Sequence, residues 1–309
     1  MRLSDALSRL NTGVEEMLRM RAVAGLAMLA AVLVGAACGP APDAAAPTPR
    51  ATSTLVADAT VPAATATIVP GTPPAATKTP TPVPRASDQS PTPAMEVPRD
   101  LLGEDIERIP TSSKVVALTF DAGANADAVP GILATLAEEG VPGTFFLTGT
   151  FVRQFPDASR SIVAGGHRLA NHSVTHPEFT SLTSSQIRDE VRDAERDIRD
   201  LAGGDPRPLF RFPFGDRDAR TIQAINDLGY VAVRWTVDTL GWQGTSGGQS
   251  AEAVIERVLG SATAGQIVLM HVGSHPTDGS MLDADALPGI IAGLRADAYR
   301  FVTLDALLS

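Results

Sequence analysis

Six side chains of the 309-residue chain have the types and positions that hydrolysis of an acyl bond demands: Asp121, His172, His176, Arg211, Asp238 and His271. His172 and His176 stand four apart, and neutral imidazoles suit a divalent metal ion. Spacing alone is weak support for such a site. Asn171 before the pair and Pro177 after it add to the case, because they place it in a turn that follows a strand. A metal ion there polarises an acyl oxygen and lowers the pKa of bound water. Asp121 then suits the role of general base and His271 that of general acid. Arg211 suits pairing with a carboxylate, which keeps that group ionised and oriented.

Each of these residues falls where a β-rich run stops. Asp121 follows KVVALTF (114–120), and the histidine pair follows HRLANH (167–172). Arg211 is near the end of LFRF (209–212), Asp238 follows YVAVRWTV (230–237), and His271 ends QIVLMH (266–271). TFFLTG (144–149) and YRFVTL (299–304) read as further strands. Helical stretches separate most of them. VPGILATLAEEG ends at Gly140, and Thr183 with Gln186 forms a capping box ahead of Ile187, Val191, Ala194, Ile198 and Leu201 at helical spacing. Strand–helix alternation implies a parallel sheet. The fold class expected is α/β, a distorted (β/α) barrel of about seven strands, with chemistry gathered at the C-terminal strand ends. His167 and His275 read as structural or solvated, Phe145 and Phe146 as core, and the charges between 188 and 199 as a solvated helix face.

The ordered set Thr119-Phe120-Asp121-Ala122-Gly123, His172-Ser173-x-x-His176, Arg211-Phe212-Pro213-Phe214, Asp238-x-x-Gly241-Trp242 and Leu269-Met270-His271 resembles the motif series of the NodB-type polysaccharide deacetylases, carbohydrate esterase family 4. The resemblance implies a metal-dependent hydrolase that removes N-acetyl groups from peptidoglycan, chitin-like glycan or xylan. It makes Asp121 the base, His271 the acid, and His172 and His176 the ligands of a divalent ion, zinc first, with cobalt, nickel or manganese as alternatives. Arg211 holds the base, the backbone N–H near Phe214 contributes to an oxyanion hole, and Trp242 walls the sugar groove. Two positions depart from the family. Ala122 stands where a second aspartate is a metal ligand, which leaves water, Asn125, Asp127 or Asp121 to complete the site. Gly241 stands where the fourth motif carries aspartate, so Asp238 is the matching carboxylate left to tune Arg211 or His271.

The N-terminal third is of another kind. All fourteen aromatic residues lie at or after Phe120, and aromatic side chains supply much of the buried area of a core. Residues 22–37 are uniformly small or apolar behind Arg19 and Arg21, and Cys38, the sole cysteine, follows Gly35, Ala36 and Ala37. Sixteen residues fall short of the roughly 20 that span a bilayer. Residues 1–38 therefore read as a lipoprotein signal or membrane anchor, with a monomeric, extracytoplasmic, membrane-tethered protein as the consequence. Residues 39–98 hold fourteen of the twenty-four prolines, so 39–100 reads as a disordered, extended spacer and 111–309 as the catalytic domain. A net charge of −10 argues against nucleic acid. An O-acetyl xylan esterase and a catalytically inactive glycan-binding lipoprotein are the competing functions.

Overall fold

The computed structural model describes residues 97–309. The expected signal, Cys38 and the spacer up to residue 96 lie outside the described residues. Among the described residues no helix is long and apolar enough to cross a membrane.

In chain order the strands are β1 (Asp105–Ile106), β2 (Val115–Ala122), β3 (Thr144–Leu147), β4 (Arg168–Asn171), β5 (Leu209–Phe210), β6 (Val231–Val233), β7 (Val237–Asp238), β8 (Gln266–His271) and β9 (Arg300–Phe301). The helices are α1 (Val129–Glu139), α2 (Gly149–Gln154), α3 (Pro156–Ala164), α4 (Ser184–Asp197), α5 (Ala219–Asn226), α6 (Ala251–Gly260) and α7 (Leu282–Ala296). The strands form one sheet in the order β1-β6-β5-β4-β3-β2-β8-β7, with β9 on β2, and the strand pairs are parallel.

Nine strands replace the expected seven for two reasons. β1 is two residues long, too short to show in composition. YVAVRWTV is not one strand but two. Its first half pairs with β1 and β5, its second with β8. Between them Arg234 N donates to Ile106 O (2.7 Å) and Thr236 N to Ile267 O (2.9 Å). The chain thus passes from one end of the sheet order to the other, and the residues after β1 follow it, Ile109 N donating to Gly265 O (2.8 Å). This is the barrel's distorted closure.

Alternation along β2 separates two layers. Val116, Leu118, Phe120 and Ala122 belong to the cluster that includes Ile132, Leu136, Ile290 and Leu294 of α1 and α7. Ala117 faces the other way, with Phe146, Ala170, Val231 and Ile267, and Asp121 shares its parity. Leu101, Ile106 and Ile109 join this inner cluster, so packing begins before the expected domain start at Thr111. Leu304 and Leu307 complete the cluster, and Leu304 N donates to Thr144 Oγ1 (3.1 Å) at the start of β3. That leaves the opposite, C-terminal ends of the strands for the site.

The expected caps are present. Gly140 closes α1 in the left-handed region at φ 60°, where glycine carries no Cβ penalty. Thr183 and Gln186 cap α4 reciprocally.

Candidate active site

Asp121 and His271 are register partners on the adjacent strands β2 and β8, which places their backbones about 4.8 Å apart. Arg211, just past β5, is held by Arg211 N donating to Asn171 O (3.0 Å). Its fully buried guanidinium stacks over Phe146, 4.0 Å from the ring centroid, and donates to Asp121 Oδ1 (2.7 Å), Val233 O (3.3 Å) and Arg234 O (3.0 Å). Burial alone would raise the Asp121 carboxyl. The charges of Arg211, His172 and His271, with the Arg211 hydrogen bond, outweigh it and hold the group below its ordinary value. Oδ2 is the oxygen left for chemistry, and it lies 3.4 Å from His172 Nε2.

The two histidines flank a strained turn after β4. Asn171 Oδ1 accepts from Ser173 N (2.9 Å), and Ser173 Oγ accepts from His176 N (3.1 Å). Glu190 of α4 closes the turn from outside: Oε2 accepts from Val174 N (2.8 Å) and Thr175 N (2.9 Å), and Oε1 accepts from the Thr175 hydroxyl (2.7 Å). These bonds hold Ser173 at φ 68° and His176 at φ 61°, in the left-handed region, which costs about 1–2 kcal/mol per non-glycine residue. Phe214 (φ 58°) and Leu240 (φ 61°), in the loops after β5 and β7, share that conformation.

His172 Nδ1 is 2.8 Å from Arg211 O, which fixes Nδ1 as the protonated nitrogen and leaves Nε2 with a free lone pair. The rings of His172 and His176 meet edge-on, 4.8 Å between centroids. Burial lowers the pKa of both, that of His176 to about 4, where the charge of His172 adds to the effect. Two neutral, oriented imidazoles are a donor set that fits a divalent ion. The third ligand is another matter. Ala122 is fully buried, and among the described residues no group of three or more His, Cys, Asp or Glu side chains is arranged to hold a metal. Asn125 and Asp127 are engaged in the loop after β8, Asn125 Oδ1 accepting from Ser274 N (2.8 Å) and Asp127 Oδ2 from the Ser274 hydroxyl (2.5 Å). Asp121 Oδ2 is the carboxylate oxygen nearest the pair.

On the other side of Asp121 a second carboxylate joins Asp238. Asp238 spends Oδ1 on Leu240 N (2.9 Å), capping its own turn, and acts on Arg211 and His271 through charge alone. The carboxylate against His271 is Asp283, in the first turn of α7. Asp283 Oδ2 accepts from His271 N (2.8 Å) and lies 3.6 Å from His271 Nδ1, an ion-pair distance rather than a hydrogen bond. Burial pulls the His271 pKa down, but Asp283, Asp121 and Asp238 together raise it above its ordinary value. Asp283 follows His271 by twelve residues and belongs to none of the five motifs. The sequence signal that could have found it is an aspartate opening the helix after the His271 loop.

Two aromatic side chains stand open to solvent on this rim, Phe214 at 70 % and Trp242 at 51 % exposure. The Phe214 ring sits 4.4 Å from that of His176, and Trp242 follows Gly241 in the turn after β7. His167 and His275 stay outside the cluster of reactive groups. His167 Nδ1 accepts from Gly143 N (3.2 Å), and His275 Nδ1 lies 3.2 Å from Asp278 Oδ2 within its own loop.

Residues 108–233 match the family model described as polysaccharide deacetylase. A peptidoglycan-N-acetylglucosamine deacetylase of Bacillus cereus is 32% identical over 198 residues, 64% of this chain and 70% of that protein. A chitooligosaccharide deacetylase of Sinorhizobium fredii is 32% identical over 189 residues, 61% of this chain and 86% of that one. Among solved structures, a mutant of a Bacillus anthracis carbohydrate esterase family 4 pseudoenzyme, with enzymatic activity restored, superposes with a TM-score of 0.58 at 29% identity, covering 64% of this chain and 68% of that one.

Proposed function

The chain belongs to the polysaccharide deacetylase family, and from that premise we propose that it removes N-acetyl groups from a cell-wall or chitin-like polysaccharide by metal-dependent hydrolysis. The observation that carries the reading is the buried Asp121–Arg211 pair set between two neutral histidines and His271. Arg211 leaves Asp121 ionised with one oxygen committed and one able to take a proton. Asp121 Oδ2 removes a proton from water as it adds to the acetamide carbonyl. His271, charged at the outset, gives its proton to the sugar nitrogen as the C–N bond breaks. Acetic acid and the free amine leave, the acid losing its proton to solvent, and the proton held by Asp121 returns His271 to its charged form. The Phe214 backbone N–H supports the negative charge on the acyl oxygen. His172 Nε2 and the His176 imidazole would hold a divalent ion, zinc being one that imidazole donors suit, and such an ion would polarise the acyl oxygen and acidify water. The exposed faces of Phe214 and Trp242 suit sugar rings on either side of the scissile group.

Ala122 favours a second reading, a glycan-binding protein that does not turn over, and the likeness to a pseudoenzyme points the same way. Calorimetric titration with Zn²⁺, alongside acetate release from N-acetylglucosamine oligomers, peptidoglycan and acetylated xylan, separates the two. The deacetylase reading expects metal binding and acetate release in the wild type and neither in His172→Ala. A folded wild type that binds no metal and frees no acetate from any glycan leaves the binding reading. Release from xylan alone would make the protein an O-acetyl esterase. The location proposed is the outer face of the cell membrane, held by lipidated Cys38.

A further inference from the structure

We propose that Asp283 is the positioning residue for His271, and that residue 241 is glycine because Asp283 occupies the space a side chain there would take. The proposal rests on the reading of His271 as the acid. Three observations carry it. Asp283 is buried in the first turn of α7, where the helix terminus favours a negative charge. Its Oδ2 accepts the His271 backbone N–H and approaches Nδ1 from behind, while Oδ1 and His271 Nδ1 are both buried without a hydrogen-bond partner among the described residues. A buried carboxylate oxygen and a buried ring N–H left unpaired are costly. Oδ2 is 3.6 Å from Nδ1, and a small rotation of either side chain brings that pair to hydrogen-bond distance, holding a proton on Nδ1 and leaving Nε2 to carry the one that is given up.

The third observation concerns Gly241. A Cβ built there would meet Asp283 Oδ1 and lie 2.8 Å from its Cγ. Gly241 has no positive φ, so backbone conformation does not require glycine. Asp283 does. The resemblance puts an aspartate at this position in the family. Here the carboxylate reaches the same point from α7, and the two positions exclude each other. The departure at Gly241 is then a relocation, not a loss. The titratable groups facing His271 are Asp283 from α7, Asp121 from β2, Asp238 from β7, and the neutral His172 and His176 from the turn after β4.

The test follows the His271 imidazole by NMR titration of the metal-free protein and measures kcat and KM for wild type, Asp283→Asn, Asp283→Ser, Gly241→Asp and the pair Asp283→Ser/Gly241→Asp. Asp283→Asn should melt like wild type, lower the His271 pKa, and cost about tenfold or more in kcat, part of the 10²–10⁴ that acid–base help supplies, with KM nearly unchanged. Gly241→Asp alone, forcing two carboxylates together, should lower Tm. The pair should recover the His271 titration and most of kcat, which a merely structural role for Asp283 would not produce. An unshifted His271 titration in Asp283→Asn, or a pair no better than Asp283→Ser, overturns the proposal. The titrations read the same in a protein that frees no acetate, so they judge Asp283 apart from the deacetylase reading.

Discussion

Replacing Arg211 with methionine keeps most of the stem's bulk and removes the one cation bonded to Asp121. Asp121 then stays buried, with His271 as its remaining positive neighbour, and the Val233 and Arg234 carbonyls lose their donors. Breaking a buried pair from one side costs about 3–5 kcal/mol. For a domain of about 200 residues, each kcal/mol moves Tm by about 2–4 °C, so Arg211→Met should melt about 6–20 °C lower at neutral pH. The sign of the pH dependence follows from the pair. In the wild type the folded Asp121 pKa lies below its unfolded value, so its stabilisation is full above the unfolded pKa and is lost as pH falls through the folded one. In Arg211→Met burial dominates and the folded pKa rises, so folding takes up a proton. The deficit against wild type should be largest at neutral pH and shrink on acidification. Asp121→Asn/Arg211→Met, which removes both charges, should recover part of the loss. Thermal melts of the three proteins between pH 4 and pH 8, a range of about four units upward from the ordinary aspartate pKa, provide the check. Equal melting at neutral pH, a deficit that does not narrow with acid, or a double variant less stable than the single one would refute the reasoning.

Asp121→Asn and His271→Ala should each lower kcat by about 10²–10⁴-fold while both fold, and near-normal turnover in either overturns the acid–base assignment. Glu190→Gln, whose amide oxygen can still take both backbone N–H groups but which loses the charge and the oxygen that accepts the Thr175 hydroxyl, should weaken metal binding about 10–100-fold, as loss of a ligand-orienting partner does; unchanged affinity in calorimetry would show that the turn holds itself. Cys38→Ser should abolish labelling by a fatty-acid probe, and equal labelling of both proteins would dispose of the lipid tether.

The strands were legible because they are buried on both faces. All eight residues of β2 are buried, and such strands read as continuous apolar runs. The reactive residues were legible because a parallel barrel puts its chemistry where those runs end. What stayed hidden is what only closure creates. Nothing local in Arg234-Trp235-Thr236 says that the chain there changes partner from β1 to β8. The departure at Gly241 was visible, but its counterpart lies 42 residues on, on another element. One sequence cannot link Gly241 to Asp283; a packed helix does.

The four left-handed non-glycine residues around the mouth, Ser173, His176, Phe214 and Leu240, set a direction for anyone breeding a hardier version of the protein. At about 1–2 kcal/mol each, they are the places where a glycine or asparagine most cheaply raises the melting point. Laboratory selection on heat survival alone should therefore gather substitutions at Ser173, Phe214 and Leu240, and each would loosen a loop that aims a reactive group. Such a lineage would become sturdier and slower together, and only a screen that also counts product would keep these four positions as they are.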